Sequence, residues 1–145
     1  RAGEGFAKYP EKPVLHENPL VKAQTHIGDL MDGLWVVSSA FKRLLIDPNP
    51  SLVESVEIEI EQKTDGESPI YLVDVMNVVD ALELEGSALT WTYYWKTEVF
   101  ACALTGRSEF DTEIVDGLDI FRERHALREV FVRADVLSQV EASKL

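Results

Sequence analysis

A strictly alternating segment near the middle of the chain restricts the fold more than any other feature. In Val56-Glu57-Ile58-Glu59-Ile60-Glu61, apolar and acidic side chains alternate without exception. Successive side chains of a β-strand point to opposite faces, so the pattern predicts a strand with one buried and one solvated face. A loop with Asp65-Gly66 at its tip and the apolar run over residues 70–76 follow. Together they predict a β-hairpin, and therefore an antiparallel sheet.

Shorter patterns add further strands and short helices. Strands are predicted over residues 34–37, 89–96, 99–104 and 130–132. Helices are predicted after Ser38 or Ser39, whose hydroxyl can cap the first turn, and over residues 134–142. Residues 77–84 suit a short capped helix or a turn, and residues 110–115 suit another strand. We therefore predict an α+β fold, a mostly antiparallel sheet with a few short helices packed at its edge or on one face.

The first part of the chain differs from the rest in its prolines. Pro10, Pro13 and Pro19 oppose a continuous helix and favour extended backbone. We predict that residues 1–32 form an extended arm and that residues 33–145 form a single domain. A chain of 145 residues suits one domain with a core of its own.

The charge balance restricts the partners of the protein. The chain carries 26 acidic and 14 basic side chains, a formal net charge of −12. Phosphate backbones and anionic membranes repel such a chain, so we expect neither direct nucleic-acid binding nor membrane binding. A basic protein partner is favoured, because opposite fields speed encounter. The alternative is that the acidity only keeps a cytoplasmic protein soluble.

Residue types that usually carry chemistry are sparse. Cys102 is the only cysteine and lies in an apolar run, which predicts a buried thiol in a reducing cytoplasm. His16, His26 and His125 show no metal-ligand spacing. Phosphate-binding loops, dinucleotide-binding motifs and nucleophile elbows are all missing from the sequence. We therefore predict no catalytic residues, no metal and no cofactor.

Two groups of residues are candidates for partner binding. In a strand, Trp91, Tyr93 and Trp95 point to one face and Tyr94 to the other. Aromatic residues of this kind serve as core or as binding anchors, and we favour core for one face and partner contact for the other. The second group consists of acids that can meet a basic surface or simply form a solvated edge: Glu109, Asp111, Glu113, Asp116 and Asp119.

Asp74 is the carboxylate most worth following, because it interrupts an apolar strand. Burial of a charge is expensive unless the charge is paired or hydrogen-bonded. We expect Asp74 on the solvent face, or capping the next turn together with Asn77. The alternative is an acid with a perturbed pKa in a cleft.

Two sequence blocks resemble a bacterial immunity-protein family, the eleventh such family of polymorphic toxin systems. The first block is Tyr71-Leu72-Val73-Asp74-Val75-Met76-Asn77-Val78-Val79-Asp80-Ala81-Leu82, and the second is Asp116-Gly117-Leu118-Asp119-Ile120-Phe121-Arg122. A strand over residues 130–132 and the helix after it also fit, so the resemblance runs from Gly33 onward. Residues that we expect to be structural within these blocks are Asp74, Asn77, Asp80, Leu82, Asp119, Ile120, Phe121 and Arg122. Asp119 and Arg122 are expected to bridge to each other or to neighbouring turns.

The resemblance implies a function without catalysis. Proteins of such families protect a producing cell and its kin from secreted toxins, often those of contact-dependent or type VI secretion systems. We therefore expect a cytoplasmic protein that binds and neutralises a cognate toxin. Nucleases line their clefts with Lys and Arg, so a basic, nucleic-acid-directed toxin would suit the acidic chain. Two alternatives stay open: an adaptor or chaperone for a secreted effector, and a small enzyme that reverses a toxin's modification.

Overall fold

The computed structural model describes residues 3–6, 11–29, 33–63, 65–96 and 99–143, without the side chains of Asp29, Tyr94 and residues 99–101. In these ranges the strands are β1 Val14–Leu15, β2 Ile27–Asp29, β3 Trp35–Ser38, β4 Val53–Ile60, β5 Ile70–Val75, β6 Val78–Val79, β7 Leu89–Tyr94, β8 Val99–Leu104, β9 Ile120–Glu123 and β10 Ala126–Val132. The helices are α1 Pro19–Ala23, α2 Ser39–Phe41, α3 Thr112–Val115 and α4 Ala134–Ala142, and the π-helical turn Lys42–Ile46 continues α2. None of these described helices has the length and apolar character needed to cross a membrane.

A five-stranded sheet forms the centre of the molecule, in the order β1-β4-β5-β3-β2. Strand β5 pairs antiparallel with both β4 and β3, so that Leu72 lies opposite Val56 on one side and Val36 on the other. Only β1 runs parallel to its neighbour, β4. The predicted hairpin and the predicted α+β fold are confirmed.

Each face of this sheet covers its own apolar cluster. On one face, Val37 and Val73 pack with α2, the π-helical turn, Ile120 of β9 and Val140 of α4. On the other face, Val36 and Leu72 pack with Ile58, Ile60, Ile70 and Leu20 of α1. Adjacent residues such as Val36 and Val37 belong to different clusters because side chains alternate along a strand. The same alternation leaves Glu57 and Glu59 exposed in β4.

Two local predictions were wrong, the first because of a longer-range contact and the second because of a local helix cap. Residues 77–84 contain β6, which pairs parallel with β9, and Leu82, which bridges to Phe110. Pairing with a distant strand suits the β-branched Val78 and Val79 better than a helix does. Residues 110–115 contain helix α3, because the Asp111 side chain accepts a hydrogen bond from the Glu113 N–H and caps a helical turn.

The proline-containing segment is also more structured than predicted. Pro19 occupies the first turn of α1, where its missing N–H costs nothing, and Asn18 caps that helix. The segment also supplies β1 and β2, the two edge strands of the central sheet. The prediction of extended backbone is therefore correct only for parts of the segment that the structure describes. The domain boundary at residue 32 stays a prediction.

Asp74 and Arg122 form a fully buried ion pair, so the expectation of a solvent-facing Asp74 was wrong. Their side chains are each 1% exposed, and Arg122 Nη2 lies 3.2 Å from Asp74 Oδ1. Arg122 also donates hydrogen bonds to the carbonyl oxygens of Val75 and Leu127. The Asp74 carboxylate accepts from the Gly3 N–H at 2.7 Å and the Gly5 N–H at 2.9 Å. These four backbone groups help to compensate the burial of two charges.

Gly33 is required where this ion pair meets the start of β3. Its carbonyl accepts a hydrogen bond from Arg122, and its backbone has a φ of +75°, which favours glycine. A Cβ at this position would lie 2.9 Å from Arg122 Nη1 and equally close to the Arg128 backbone. A larger residue at position 33 would therefore push the guanidinium out of place.

The other residues of the two family blocks pack around β9. Phe121 is 6% exposed, stacks on Phe131 and meets the edge of Phe110. Asn77 donates to the Ile120 carbonyl, and Asp119 pairs with Arg133 at 3.0 Å rather than with Arg122. These contacts support a structural role for the blocks.

We predict that Arg122→Met lowers the free energy of unfolding by about 3–5 kcal/mol, because it leaves the Asp74 carboxylate buried without its cation. Urea denaturation followed by circular dichroism measures the change. The matched control is Arg107→Met, which removes an exposed guanidinium that pairs with Glu109 and should cost less than about 1 kcal/mol. Equal losses of unfolding free energy in the two variants would contradict the assignment of the Asp74–Arg122 ion pair as the interaction that holds β5 and β9 together.

Candidate interaction site

A long hairpin carries the predicted aromatic anchors away from the central sheet. Strands β7 and β8 pair antiparallel from Leu89↔Leu104 to Tyr94↔Val99. Below them, hydrogen bonds continue irregularly: the Ala88 N–H donates to Arg107 O, the Glu83 N–H to Glu109 O, and the Asp111 N–H to Ala81 O. Glu109 and Asp111 therefore lie at the base of the hairpin, and Trp95 lies at its tip.

The face that carries Trp91, Tyr93 and Trp95 is largely exposed. The exposed fractions are 48% for Trp91, 50% for Tyr93 and 73% for Trp95. The prediction of one core face and one contact face did not say which face is which, and these three side chains, on or next to the two-stranded sheet of β7 and β8, are not core. The Tyr94 side chain lies outside the described residues. Three neighbouring half-exposed aromatic side chains provide an apolar surface suited to contact with a partner.

A polar side chain contacts the aromatic ring at each end of this face. The Trp91 ring meets the His125 ring edge-on, with 6.0 Å between centroids. At the other end, the Lys96 ammonium lies 5.4 Å from the centroid of the Trp95 ring. The Lys96 cation thus lies over the Trp95 ring, whose π electrons attract it. The opposite face of the hairpin presents small exposed side chains, among them Thr90, Thr92 and Ala103.

The predicted acidic cluster divides into two groups. Glu109 pairs with Arg107 at 2.9 Å, and Asp111 caps α3 close to Glu113. Asp116 and Asp119 instead lie near Arg133, whose pKa is raised mainly by its hydrogen bond to Asp135 and further by these two acids. The same hydrogen bond lowers the pKa of Asp135. The acids of the first group lie at the base of the aromatic hairpin, and those of the second accompany the start of α4.

Glu123 and His125 form a site that sequence reasoning missed. Glu123 is fully buried, and its Oε1 lies 2.8 Å from His125 Nδ1. Asp80 Oδ1 lies 3.6 Å from the same nitrogen. Among the described residues, Asp80, Glu123 and His125 are the group whose donor atoms lie close enough together to hold a metal ion. In the sequence, only the two-residue spacing of Glu123 and His125 could have indicated this site. The pairing of β6 with β9 brings Asp80 next to them.

A groove of about 720 Å³ offers a second concave surface. It lies between the central sheet, β10 and α4, and apolar side chains such as Trp35, Phe41, Val132 and Val140 line it. Gln24, His26 and Glu141 add polar groups to its lining. The groove lies on the face of the sheet that α4 covers, and none of the predicted site residues lines it.

Cys102 lies opposite Trp91 in the hairpin and is half-buried rather than fully buried. Burial raises the pKa of its thiol, and the nearby Glu123 carboxylate raises it further. A raised pKa keeps sulfur in the protonated form, which is a poor nucleophile. The geometry thus supports an unreactive thiol at this position.

We predict that the native protein reacts slowly with iodoacetamide at neutral pH, because little of the Cys102 thiol is ionised. The alkylation rate should rise only above the ordinary thiol pKa of about 8.5, whereas the urea-unfolded chain should follow that ordinary value. Mass spectrometry of timed samples across a pH series measures both rates. Equal rates for native and unfolded protein at neutral pH would contradict the raised pKa.

Comparison with known families identifies one match. A family model described as "Immunity protein family (Imm11)" matches residues 1–145. The match includes the proline-containing segment, which the resemblance seen in the sequence had left out. A search of curated proteins finds no match to the chain.

Proposed function

Because the chain belongs to the Imm11 immunity protein family, we propose that it neutralises a cognate bacterial toxin by binding it stoichiometrically, without catalytic turnover. The observation that carries the proposal is the exposed aromatic face of the β7–β8 hairpin. Trp and Tyr are enriched among the residues that dominate binding energy at protein interfaces. Their exposure costs the free protein hydrophobic stabilisation that a partner would restore.

The hairpin suits this role because it is separate from the residues that stabilise the fold. Asp74, Arg122 and the apolar clusters lie in and around the central sheet. The aromatic side chains lie on a two-stranded sheet beside it. Changes in Trp95, which is 73% exposed, can therefore tune binding with little effect on folding. Rigid aromatic side chains also lose little conformational entropy when they bind.

Charge favours a basic toxin as the partner. The net charge of −12 attracts a basic surface over a distance of about one Debye length, about 8 Å at physiological ionic strength. Enzymes that act on nucleic acids present such surfaces, since they must bind phosphates. An acidic inhibitor can occupy the same field and compete with the nucleic acid. We therefore propose a nucleic-acid-directed toxin as the preferred partner class.

We predict that toxin inhibition is complete at about one molecule of this protein per molecule of toxin, as expected for an inhibitor that forms a stable complex. Titration of the cognate toxin with this protein, with toxin activity as the readout, measures the ratio. Protection by a small fraction of an equivalent would indicate an enzyme. Loss of toxin secretion on deletion, with immunity intact, would indicate an adaptor.

We predict that Trp95→Ala weakens toxin binding by about 2 kcal/mol or more, which raises Kd roughly 30-fold. The reason is the loss of a large aromatic anchor that is 73% exposed in the free protein. Thr92→Ala is the matched control, since Thr92 is exposed in the same hairpin but lies on its opposite face. Calorimetry measures both affinities. Equal affinities for the two variants, with both folded, would place the interface elsewhere.

We predict that the association rate with the toxin falls as salt rises, while the dissociation rate changes less, because screening acts on long-range attraction. Stopped-flow kinetics over a NaCl series measures both rates. Glu113→Gln should slow association more than Glu59→Gln, because Glu113 lies near the base of the hairpin and Glu59 lies in β4. An association rate that does not change with salt would indicate that the net negative charge has no role in binding.

A further inference from the structure

Two buried carboxylates are compensated in different ways. Asp74 and Glu123 are both 0% exposed. Asp74 has a guanidinium partner in Arg122, whereas Glu123 is paired with the imidazole of His125. An isolated buried carboxylate is expensive, and backbone N–H groups compensate only part of its charge. Glu123 therefore lies where a further cation would stabilise the fold.

Glu123 is held in the orientation that a metal ligand needs. Its Oε2 accepts hydrogen bonds from the Ala81 and Leu82 N–H groups at 3.0 Å and 3.1 Å. Its Oε1 accepts from the His125 N–H at 3.0 Å and lies 2.8 Å from His125 Nδ1. The 2.8 Å between Nδ1 and Oε1 is a hydrogen-bond distance, so a cation bound by both atoms would take the place of the proton between them. Hydrogen bonds of this kind orient the ligands of metal sites.

Asp80 completes a set of three donors from three separate positions of the chain. Its Oδ2 pairs with Arg124 at 2.8 Å, and its Oδ1 lies 3.6 Å from His125 Nδ1. All three donor atoms lie within 4.8 Å of one another. Two ligands that each lie about 2.1 Å from one ion are roughly 3–3.5 Å apart, so the observed spacing needs only small adjustments.

We propose that Asp80, Glu123 and His125 bind a divalent transition-metal cation such as Zn²⁺. One imidazole nitrogen and two carboxylate oxygens are donors typical of zinc sites, and the nitrogen disfavours Ca²⁺ and Mg²⁺. The ion would offset the buried charge of Glu123 and join the segment after β6 to the end of β9. It would also lie next to Trp91, at one end of the aromatic face. The proposal does not depend on toxin binding.

The test uses the full chain after EDTA treatment, with Zn²⁺ measured by calorimetry and Co²⁺ by its visible absorption. We expect one Zn²⁺ site and an increase in Tm that depends on Zn²⁺ concentration. Co²⁺ should quench the fluorescence of Trp91, and the Trp91→Phe variant should lose that part of the quenching. Ca²⁺ should bind much more weakly than Zn²⁺.

Variants locate the site. Asp80→Asn and His125→Ala should each weaken Zn²⁺ binding at least about tenfold. Asp80 is 54% exposed in its side chain, so its variant tests the site without the loss of a buried group. His16→Ala is the matched control, because His16 lies 3.1 Å from Glu61 in an exposed pair and should leave Zn²⁺ binding unchanged. Failure of the wild-type protein to bind Zn²⁺, or binding that persists in both site variants, would overturn the proposal.

Discussion

The buried contact between Asp74 and Arg122 joins parts of the chain that are far apart in sequence. Through their hydrogen bonds it connects the backbone at Gly3 and Gly5 to β5, and β9 to Gly33 and β10. Burial of both charges costs several kcal/mol per ion, which the full set of hydrogen-bonding partners must offset. The pair is therefore stable only when all of these segments are in place, and each segment depends on the others through it.

The ion pair also explains why the two family blocks occur together. Asp74 belongs to the first block and Arg122 to the second, and neither side chain could be buried without the other. The pairing of β6 with β9 joins the same blocks through the backbone, where Val78 lies opposite Arg122. This pairing also brings Asp80 to Glu123, so one junction positions both the ion pair and the proposed cation site.

Sequence patterns predicted the elements that local interactions determine. They did not predict the features that depend on distant contacts. Alternation in β4 and the serine cap before α2 are local signals, and the structure has both elements. Strand β6 and the burial of Asp74 depend on contacts with residues more than forty positions away, which no local pattern contains. The exposure of Trp95 could not be predicted either, because aromatic residue type does not distinguish a core side chain from an exposed one.

Under the proposed function, the separation between the central sheet and the β7–β8 hairpin has a physical consequence. The buried pair and the aromatic cluster of Phe110, Phe121 and Phe131 restrict nearly every residue around them. In the described part of the hairpin, β7 and β8 are joined by their own ladder of hydrogen bonds, and Trp95 is 73% exposed. Substitution of Trp95 therefore changes the exposed surface at small cost in stability, whereas substitutions near Arg122 disrupt buried contacts. If the hairpin binds the toxin as proposed, binding specificity can change there while the interior keeps the fold.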